Sequence, residues 1–181
     1  MSTIVKETGT SNFATVNAGT YQAVCSGVWD IGKQKQEYNG ETKYPHQLIV
    51  RFELNKKITE GEYAGKRYTL NKFYTASLHE KAGLRKDLES WRGKPFTKEE
   101  LTGFDVDTII GANCLIGVIH TPKGKAKIAS ISPIMQGMEK MTPELDVLET
   151  PAWVQKFKDK QVIHEEQPVH TVDDMEEGVP F

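Results

Sequence analysis

Cysteine is scarce in this sequence: among 181 residues there are two, Cys25 and Cys114, and no CxxC pair. Both stand among apolar neighbours, so we expect them to be buried free thiols on strands rather than a disulfide. The five histidines form no cluster at zinc-ligand spacing. We therefore expect neither a structural metal nor a cofactor.

Long apolar runs are also missing. No window approaches the roughly 18 apolar residues of a membrane span, and the N-terminal stretch MSTIVKETGTSNF lacks the apolar segment of a signal peptide. We therefore expect a cytoplasmic protein without membrane contact. The sequence also lacks a glycine-rich phosphate loop and a nucleophile elbow, which argues against an enzyme.

Basic residues are missing from the last stretch of the chain. Residues 165–181 carry six carboxylates and no Lys or Arg, which leaves 23 basic and 19 acidic side chains in residues 1–164. This asymmetry favours a polyanionic partner for the body of the protein. From length and composition we expect an N-terminal arm over 1–17, one domain over 18–162 and a disordered acidic tail over 163–181.

Apolar patterning predicts strands at 18–31, 46–55, 65–77, 109–121 and 125–134. In the first strand, the odd-numbered residues from Tyr21 to Ile31 are expected to share one face. The second strand alternates and is expected to be half-buried, and the third has an imperfect period that suggests a bulge near Asn71. The segment TPKG predicts a hairpin turn between the last two strands.

Two capping signals predict helices after the third strand. Ser77, with Glu80 three residues later, predicts a helix over 78–91, which GKP would end. Thr97, with Glu100 three residues later, predicts a second short helix that ends at Gly103.

The order strand, strand, strand, helix, strand, strand predicts an all-β fold with inserted helices. It is the order of an OB-fold, a five-stranded Greek-key barrel with a helix between strands 3 and 4. A further short helix within 143–160 is expected to pack Trp153 and Phe157 onto the body. Trp29 and Trp91 are expected to lie in the core.

An OB barrel binds chains across its second and third strands, between the first-second loop and the fourth-fifth loop. At these positions the sequence interleaves cations, which neutralise phosphates, with aromatic rings, which stack on unpaired bases. The predicted DNA-binding residues are Lys33, Lys35, Tyr38, Lys43, Tyr44, Arg51, Lys66, Arg67, Lys72, Tyr74, Lys123, Lys125 and Lys127.

The last nine residues, DDMEEGVPF, combine negative charge with an apolar ring. A solubilising tail would explain the charges but not the ring. We expect the ring to fill an apolar pocket on a partner protein, with the acidic groups meeting Lys or Arg on its rim. The predicted partner-binding residues are Asp173, Asp174, Glu176, Glu177, Pro180 and Phe181.

This tail resembles the C-terminal tip of bacterial and phage single-stranded DNA-binding proteins. The body is similar to phage-encoded relatives of that family, from GTYQAVCSGVWDIGKQ through GKRYTLNKFYTASLHEKAGLRKDL to CLIGVIHTPKGKAKIASISP. The resemblance implies an OB-fold that coats single strands during phage DNA replication, recombination and repair in the host cytoplasm, and a tail that docks replication and recombination proteins. The long Gln-rich spacer of many cellular members is missing, which favours a monomer or dimer over a tetramer.

Three other functions stay open. An RNA-coating or duplex-tolerant module would use similar side chains. A Mg²⁺-dependent nuclease could use Asp105 and Asp107, or Glu99 and Glu100, although early helical carboxylates also favour the helix dipole. A virion structural or scaffold protein would recruit an assembly partner through its tail.

Overall fold

The computed structural model describes residues 15–162 and is mostly β. Five antiparallel strands form a strongly curled half-barrel sheet in the order β5-β4-β1-β6-β7, and β2 and β3 form a separate hairpin. The strands are β1 (Gly19–Lys33), β2 (Gln36–Tyr38), β3 (Glu41–Lys43), β4 (His46–Lys57), β5 (Arg67–Thr75), β6 (Asn113–His120) and β7 (Ala126–Ser132).

Two α-helices and two short 3-10 turns complete the described chain. Helix α1 (Gly83–Arg92) and the 3-10 turns Glu100–Thr102 and Val106–Ile109 lie between β5 and β6, and α2 (Ala152–Asp159) follows β7. The predicted all-β class with few helices is therefore confirmed, as are the TPKG turn and the short helix of Trp153 and Phe157. Most of the predicted arm over 1–17 and the whole tail over 163–181 lie outside the described residues.

The central strand β1 pairs on both sides and contains two extra residues, Ser26 and Ile31. Its first part, from Gly19 to Val24, pairs with β6, and the part from Ala23 to Lys33 pairs with β4. Cys25 stands opposite Phe52 while Gly27 stands opposite Arg51, so Ser26 has no partner in the ladder. In a strand of period two, the extra residue Ser26 reverses the direction of the side chains that follow it, up to the second register shift at Ile31.

This reversal divides the apolar residues of β1 between two clusters. Ala23 and Cys25 belong to the large inner cluster, whereas Trp29 and Ile31 belong to a second cluster on the outer face of the sheet. The prediction that the odd-numbered residues of β1 share one face is therefore wrong, because alternation assumes an unbroken register. Trp29 and Trp91 are both buried, as predicted.

Strand β4 is buried on both faces. Leu48, Val50 and Phe52 point into the inner cluster, while Ile49 and Glu53 on the opposite face are 0% and 1% exposed. The predicted half-buried strand is thus wrong, because α2 and the chain between β7 and α2 cover the outer face. Strand alternation alone does not reveal such a covering segment.

Helix α1 closes the inner cluster with Leu84, Leu88 and Trp91. The centroid of the Trp91 ring lies 5.5 Å from that of the Phe52 ring. The Nε1–H of Trp91 donates to the carbonyl of Asn113 at 2.8 Å. Both cysteines are buried free thiols in this cluster, as predicted. Burial raises the pKa of Cys25 to about 12, so this thiol stays protonated.

Two details of the region around α1 differ from the prediction. The helix begins at Gly83 rather than at residue 78, because the Ser77 Oγ accepts the N–H of His79 in a local turn, at 3.1 Å, instead of capping the helix. The predicted bulge near Asn71 is also wrong: Asn71 pairs regularly with Arg51, and the register of β4 and β5 shifts between Glu53 and Lys57. Gly93 ends α1 with φ 71°, which a glycine adopts without strain.

The predicted capping box of the next short helix is confirmed. The Glu100 N–H donates to Thr97 Oγ1 at 3.2 Å, and the Thr97 N–H donates to Glu100 Oε1 at 3.2 Å. Arg92 contacts both oxygens of the same carboxylate, at 2.5 and 3.1 Å. The helix ends at Gly103, as predicted.

Gly27→Ala is expected to destabilise the fold, because a Cβ at this position would overlap the ring of Trp29. Since that ring is packed in the outer cluster, we expect a loss of about 1–3 kcal/mol in urea unfolding. Gly103→Ala is the control, because it has extended backbone and open space around it. Equal stability of the two variants would contradict the packing described.

Glu100→Gln should lower stability in a pH-dependent way. The hydrogen bonds from Arg92, followed by those from Thr97, hold the pKa of Glu100 at about 2, below its ordinary 4.5. Because the folded pKa is depressed, the stabilisation is full above pH 4.5 and is lost as the pH falls towards about 2. The difference in urea midpoint between wild type and variant should therefore shrink with acidification.

The matched control for this experiment is Glu99→Gln, which makes the same charge change on the neighbouring residue. Its urea midpoint should follow that of wild type at every pH. A difference for Glu100→Gln that is constant from neutral to acidic pH would contradict the assignment.

Candidate nucleic-acid interface

A two-residue turn presents the first group of predicted DNA-binding side chains. Tyr38 pairs with Glu41, and Asn39 and Gly40 between them have φ values of 50° and 77°. Asn-Gly with positive φ at both positions is the preferred turn of a tight hairpin. No hairpin was predicted within the first-second loop, although its Asn-Gly dipeptide is a hairpin signal.

The hairpin exposes aromatic rings among charged side chains. Tyr38 is 79% exposed and Tyr44 is 40% exposed. Lys35 pairs with Glu37 at 2.8 Å, and Lys43 lies 3.5 Å from Glu41. The hydrogen bond and the charge of Glu37 raise the pKa of Lys35. The hairpin therefore carries both signs of charge beside two exposed rings.

Helix α2 ends beside the base of this hairpin. The Gln34 Nε2 donates to the carbonyl of Phe157 at 2.8 Å, and the N–H of Val162 donates to the carbonyl of Lys33 at 2.9 Å. These bonds fix the last turn of α2 next to β1. They bring Lys158 and Lys160 to the same side of the molecule as the hairpin, a proximity that sequence analysis missed.

Asp30 links the hairpin base to α2 electrostatically. Its Oδ1 accepts the N–H of Gly32 at 2.8 Å and contacts the Nε2 of His46 at 2.6 Å. Although burial opposes the effect, the bonds from Gly32 and His46 lower the pKa of Asp30, and the charge of Lys158 contributes. Asp30 is thus an internal counter-ion at the edge of the basic group.

A row of aromatic contacts joins α2 to strand β5. The centroid of the Phe157 ring lies 5.3 Å from that of Phe73 and 6.5 Å from that of Trp153. The Trp153 centroid in turn lies 6.3 Å from that of Trp29. Phe73 is 43% exposed and so offers a partly open ring at the end of this row. We call the combined area the hairpin–α2 surface; it consists of Lys33, Lys35, Tyr38, Lys43, Tyr44, Phe73, Lys158 and Lys160.

Tyr74 and Lys72 lie on the opposite side of β5 from Phe73. Tyr74 is buried, and its hydroxyl donates to Asp87 Oδ2 at 2.6 Å. Burial, followed by the hydrogen bond to Asp87, raises the pKa of Tyr74, which stays protonated. Lys72 pairs with the same carboxylate at 2.6 Å. The expected exposure of Tyr74 is therefore corrected: the open ring on β5 is that of Phe73.

Arg51 is likewise buried rather than exposed. Its Nε donates to Ser26 Oγ at 2.8 Å, and its Nη2 donates to the carbonyls of Ser26 at 2.9 Å and Asp146 at 3.2 Å. The guanidinium also lies 4.9 Å from the centre of the Trp29 ring. Burial lowers the pKa of Arg51, with the charge of Glu53 opposing it. Arg51 therefore holds the β1 bulge in place.

The remaining predicted cations lie elsewhere. Arg67 contacts Glu53 and Glu144 at 3.4 and 3.3 Å, and Lys66 lies over the ring of Tyr63 at 5.4 Å. Both are at the far end of β5 from Phe73. The structure thus separates them from the hairpin–α2 surface.

The β6–β7 hairpin forms a second basic group. It bears three exposed lysines and belongs to a stretch, 108–138, that contains no acidic residue. Val118 pairs with Gly19 at one end of β1, whereas His46 pairs with Lys33 at the other end. The two basic hairpins are therefore attached to opposite ends of β1. The three lysines are Lys123, Lys125 and Lys127.

Two of the four carboxylates considered for a nuclease, those of Asp105 and Glu100, have local structural partners. Asp105 Oδ1 accepts the N–H of Asp107 at 3.0 Å and so caps a 3-10 turn. Within residues 15–162, no group of three or more His, Cys, Asp or Glu side chains could hold a metal ion. In the same part of the chain, no helix is long and apolar enough to cross a membrane.

Comparison with known proteins adds no relative: no family model matches the chain, and a search of curated proteins finds none that is similar. The predicted partner-binding residues from Asp173 to Phe181 lie outside the described residues. The resemblance to single-stranded DNA-binding proteins therefore remains a prediction.

Arg51→Ala is expected to destabilise the protein by about 3 kcal/mol or more, because it leaves the buried acceptors of Ser26 and Asp146 without their charged donor. Urea unfolding at pH 7 measures the change. Lys125→Ala, an exposed change, should stay within about 0.5 kcal/mol of wild type. Wild-type stability of Arg51→Ala would contradict its structural role.

Proposed function

We propose that this protein binds single-stranded DNA without sequence preference, through the hairpin–α2 surface. The observation that carries the proposal is the exposure of Tyr38, Tyr44 and Phe73 among lysines that come from three separate elements. Every base offers a face on which an exposed ring can stack, whatever its sequence context.

We propose that the curled sheet is an OB-type Greek-key barrel. Three features support this: β1 pairs with both β4 and β6, α1 falls between the third and fourth long strands, and the edge strands β5 and β7 approach each other across the open side. In such a barrel the first-second loop borders the binding groove, and here that loop contains the β2–β3 hairpin.

The mechanism combines two physical terms. The lysines of the surface neutralise phosphates and release counterions, which makes binding depend on salt but not on sequence. The rings stack on bases and contribute about 1–3 kcal/mol for each base. The carboxylates Asp30, Glu37 and Glu41 beside the lysines limit the electrostatic term. Stacking is therefore the larger part of the affinity in this proposal.

We further propose that the acidic residues and the Pro-Phe pair of the tail dock replication and recombination proteins, in the cytoplasm of a phage-infected host. The carboxylates would meet basic residues at the rim of a pocket that the ring fills. Support comes from the residue pattern DDMEEGVPF alone.

Tyr38→Ala and Phe73→Ala should each weaken binding of a dT oligomer by about 1–3 kcal/mol, since each removes one stacking ring. Fluorescence anisotropy at two salt concentrations measures this, and affinity should fall with salt by about 0.7 log units per neutralised phosphate for each log unit of salt.

Tyr63→Ala is the matched control for the ring variants, because Tyr63 is 37% exposed but stands on the β4–β5 connection. Wild-type affinity of both single variants and of their double would refute the proposed surface. Equal or tighter binding of an RNA oligomer would assign the surface to RNA instead.

A further inference from the structure

Residues 139–149, which we call the strap, cross the outer face of the sheet without forming a helix or a strand. Side chains from four strands hold its backbone. Gln22 donates to the carbonyl of Glu139 at 2.6 Å, and Asn113 both donates to and accepts from Met141, at 2.9 and 2.7 Å. Arg67 donates to the carbonyl of Thr142 at 2.7 Å. These bonds lay the strap across β1, β6 and β5, and Arg51 of β4 donates to the carbonyl of Asp146 at 3.2 Å.

Charged groups hold the second half of the strap. The buried carboxylate of Glu53 accepts the N–H groups of Glu144 and Leu145 at 3.0 and 3.3 Å. Arg67 also pairs with the Glu144 side chain at 3.3 Å. Burial lowers the pKa of Arg51, and the negative charges of Glu149 and Asp146 oppose this effect. One strap carboxylate, that of Glu144, therefore pairs with Arg67, and the Asp146 carbonyl accepts from Arg51.

Apolar burial contributes little to this attachment. Met141 is the one residue of the strap that is buried, whereas Leu148 is 89% exposed and Leu145 is 40% exposed. A segment held by polar bonds with few buried apolar groups opens at lower free energy than a core strand. A competing polyanion can replace such contacts one by one.

The strap covers the outer face of β5 at Arg67, the end of the strand that lies away from the hairpin–α2 surface. Alternate residues of a strand share a face, so Phe73, Asn71, Thr69 and Arg67 point the same way. The first three are exposed, whereas Arg67 is covered by the strap. A strand of DNA that stacks on Phe73 and follows β5 therefore meets the strap at Arg67.

We propose that the strap is a displaceable cover whose carboxylates occupy the position of DNA phosphates on the β4–β5 face. Bound DNA competes with Glu144 for Arg67 and frees the outer face of β5, while Arg51 keeps its bonds to Ser26. This inference rests on the proposed function, because it requires DNA on the hairpin–α2 surface. It adds a regulatory step, because the strap limits how far the bound DNA extends along β5.

Hydrogen exchange of the strap amides tests the proposal in the full chain. On saturation with a dT oligomer, the N–H groups of Glu144 and Leu145, which donate to Glu53, should exchange at least about tenfold faster. Unchanged or slower exchange while dT is bound would overturn the cover but leave the proposed function standing. Absence of dT binding would refute both.

A pair of charge variants gives a second readout. Glu144→Gln with Glu149→Gln weakens the strap, and Glu60→Gln with Glu62→Gln makes the same charge change on the exposed β4–β5 connection. The strap pair should bind dT about threefold more tightly than the control pair, because the open state is more populated. Equal affinity of the two pairs would show a general charge effect only and would overturn the proposal.

Discussion

The extra residue Ser26 in β1 is the constraint on which the rest of the structure depends. It turns Trp29 and Ile31 away from the inner cluster and thereby creates the outer cluster on which α2 packs. The same residue offers its hydroxyl and carbonyl to Arg51, so the bulge is held by a buried charge. Since an unpaired buried guanidinium is costly, bulge and arginine stabilise each other.

The packing of α2 on the outer face follows from this arrangement. Because Trp29 faces outward, Trp153 and Phe157 have a platform, and the end of α2 comes to lie against the hairpin base. Because Arg51 and Glu53 face outward too, the strap finds charged partners there. One half of the outer face thus presents rings and lysines, and the other half is covered.

The sequence was sufficient where local chemistry decides the structure. Thr97 and Glu100 predicted a helix start that depends only on neighbours in the chain. Prediction from the sequence failed where strand pairing determines which side chains are exposed. The alternation of β5 alone does not tell whether Tyr74 or Phe73 is exposed, because the pairing with β4 fixes which face of β5 lies inside. The role of Arg51 was missed because its partners Ser26 and Asp146 are distant in sequence and one of them sits in a bulge.

Photo-crosslinking tests the central claim most directly. A halogenated dU oligomer is bound to the full chain, irradiated and mapped by mass spectrometry. The account predicts crosslinks at Tyr38, Tyr44 and Phe73, the exposed rings of the hairpin–α2 surface. Crosslinks confined to the β6–β7 hairpin, at the opposite end of β1, would contradict it.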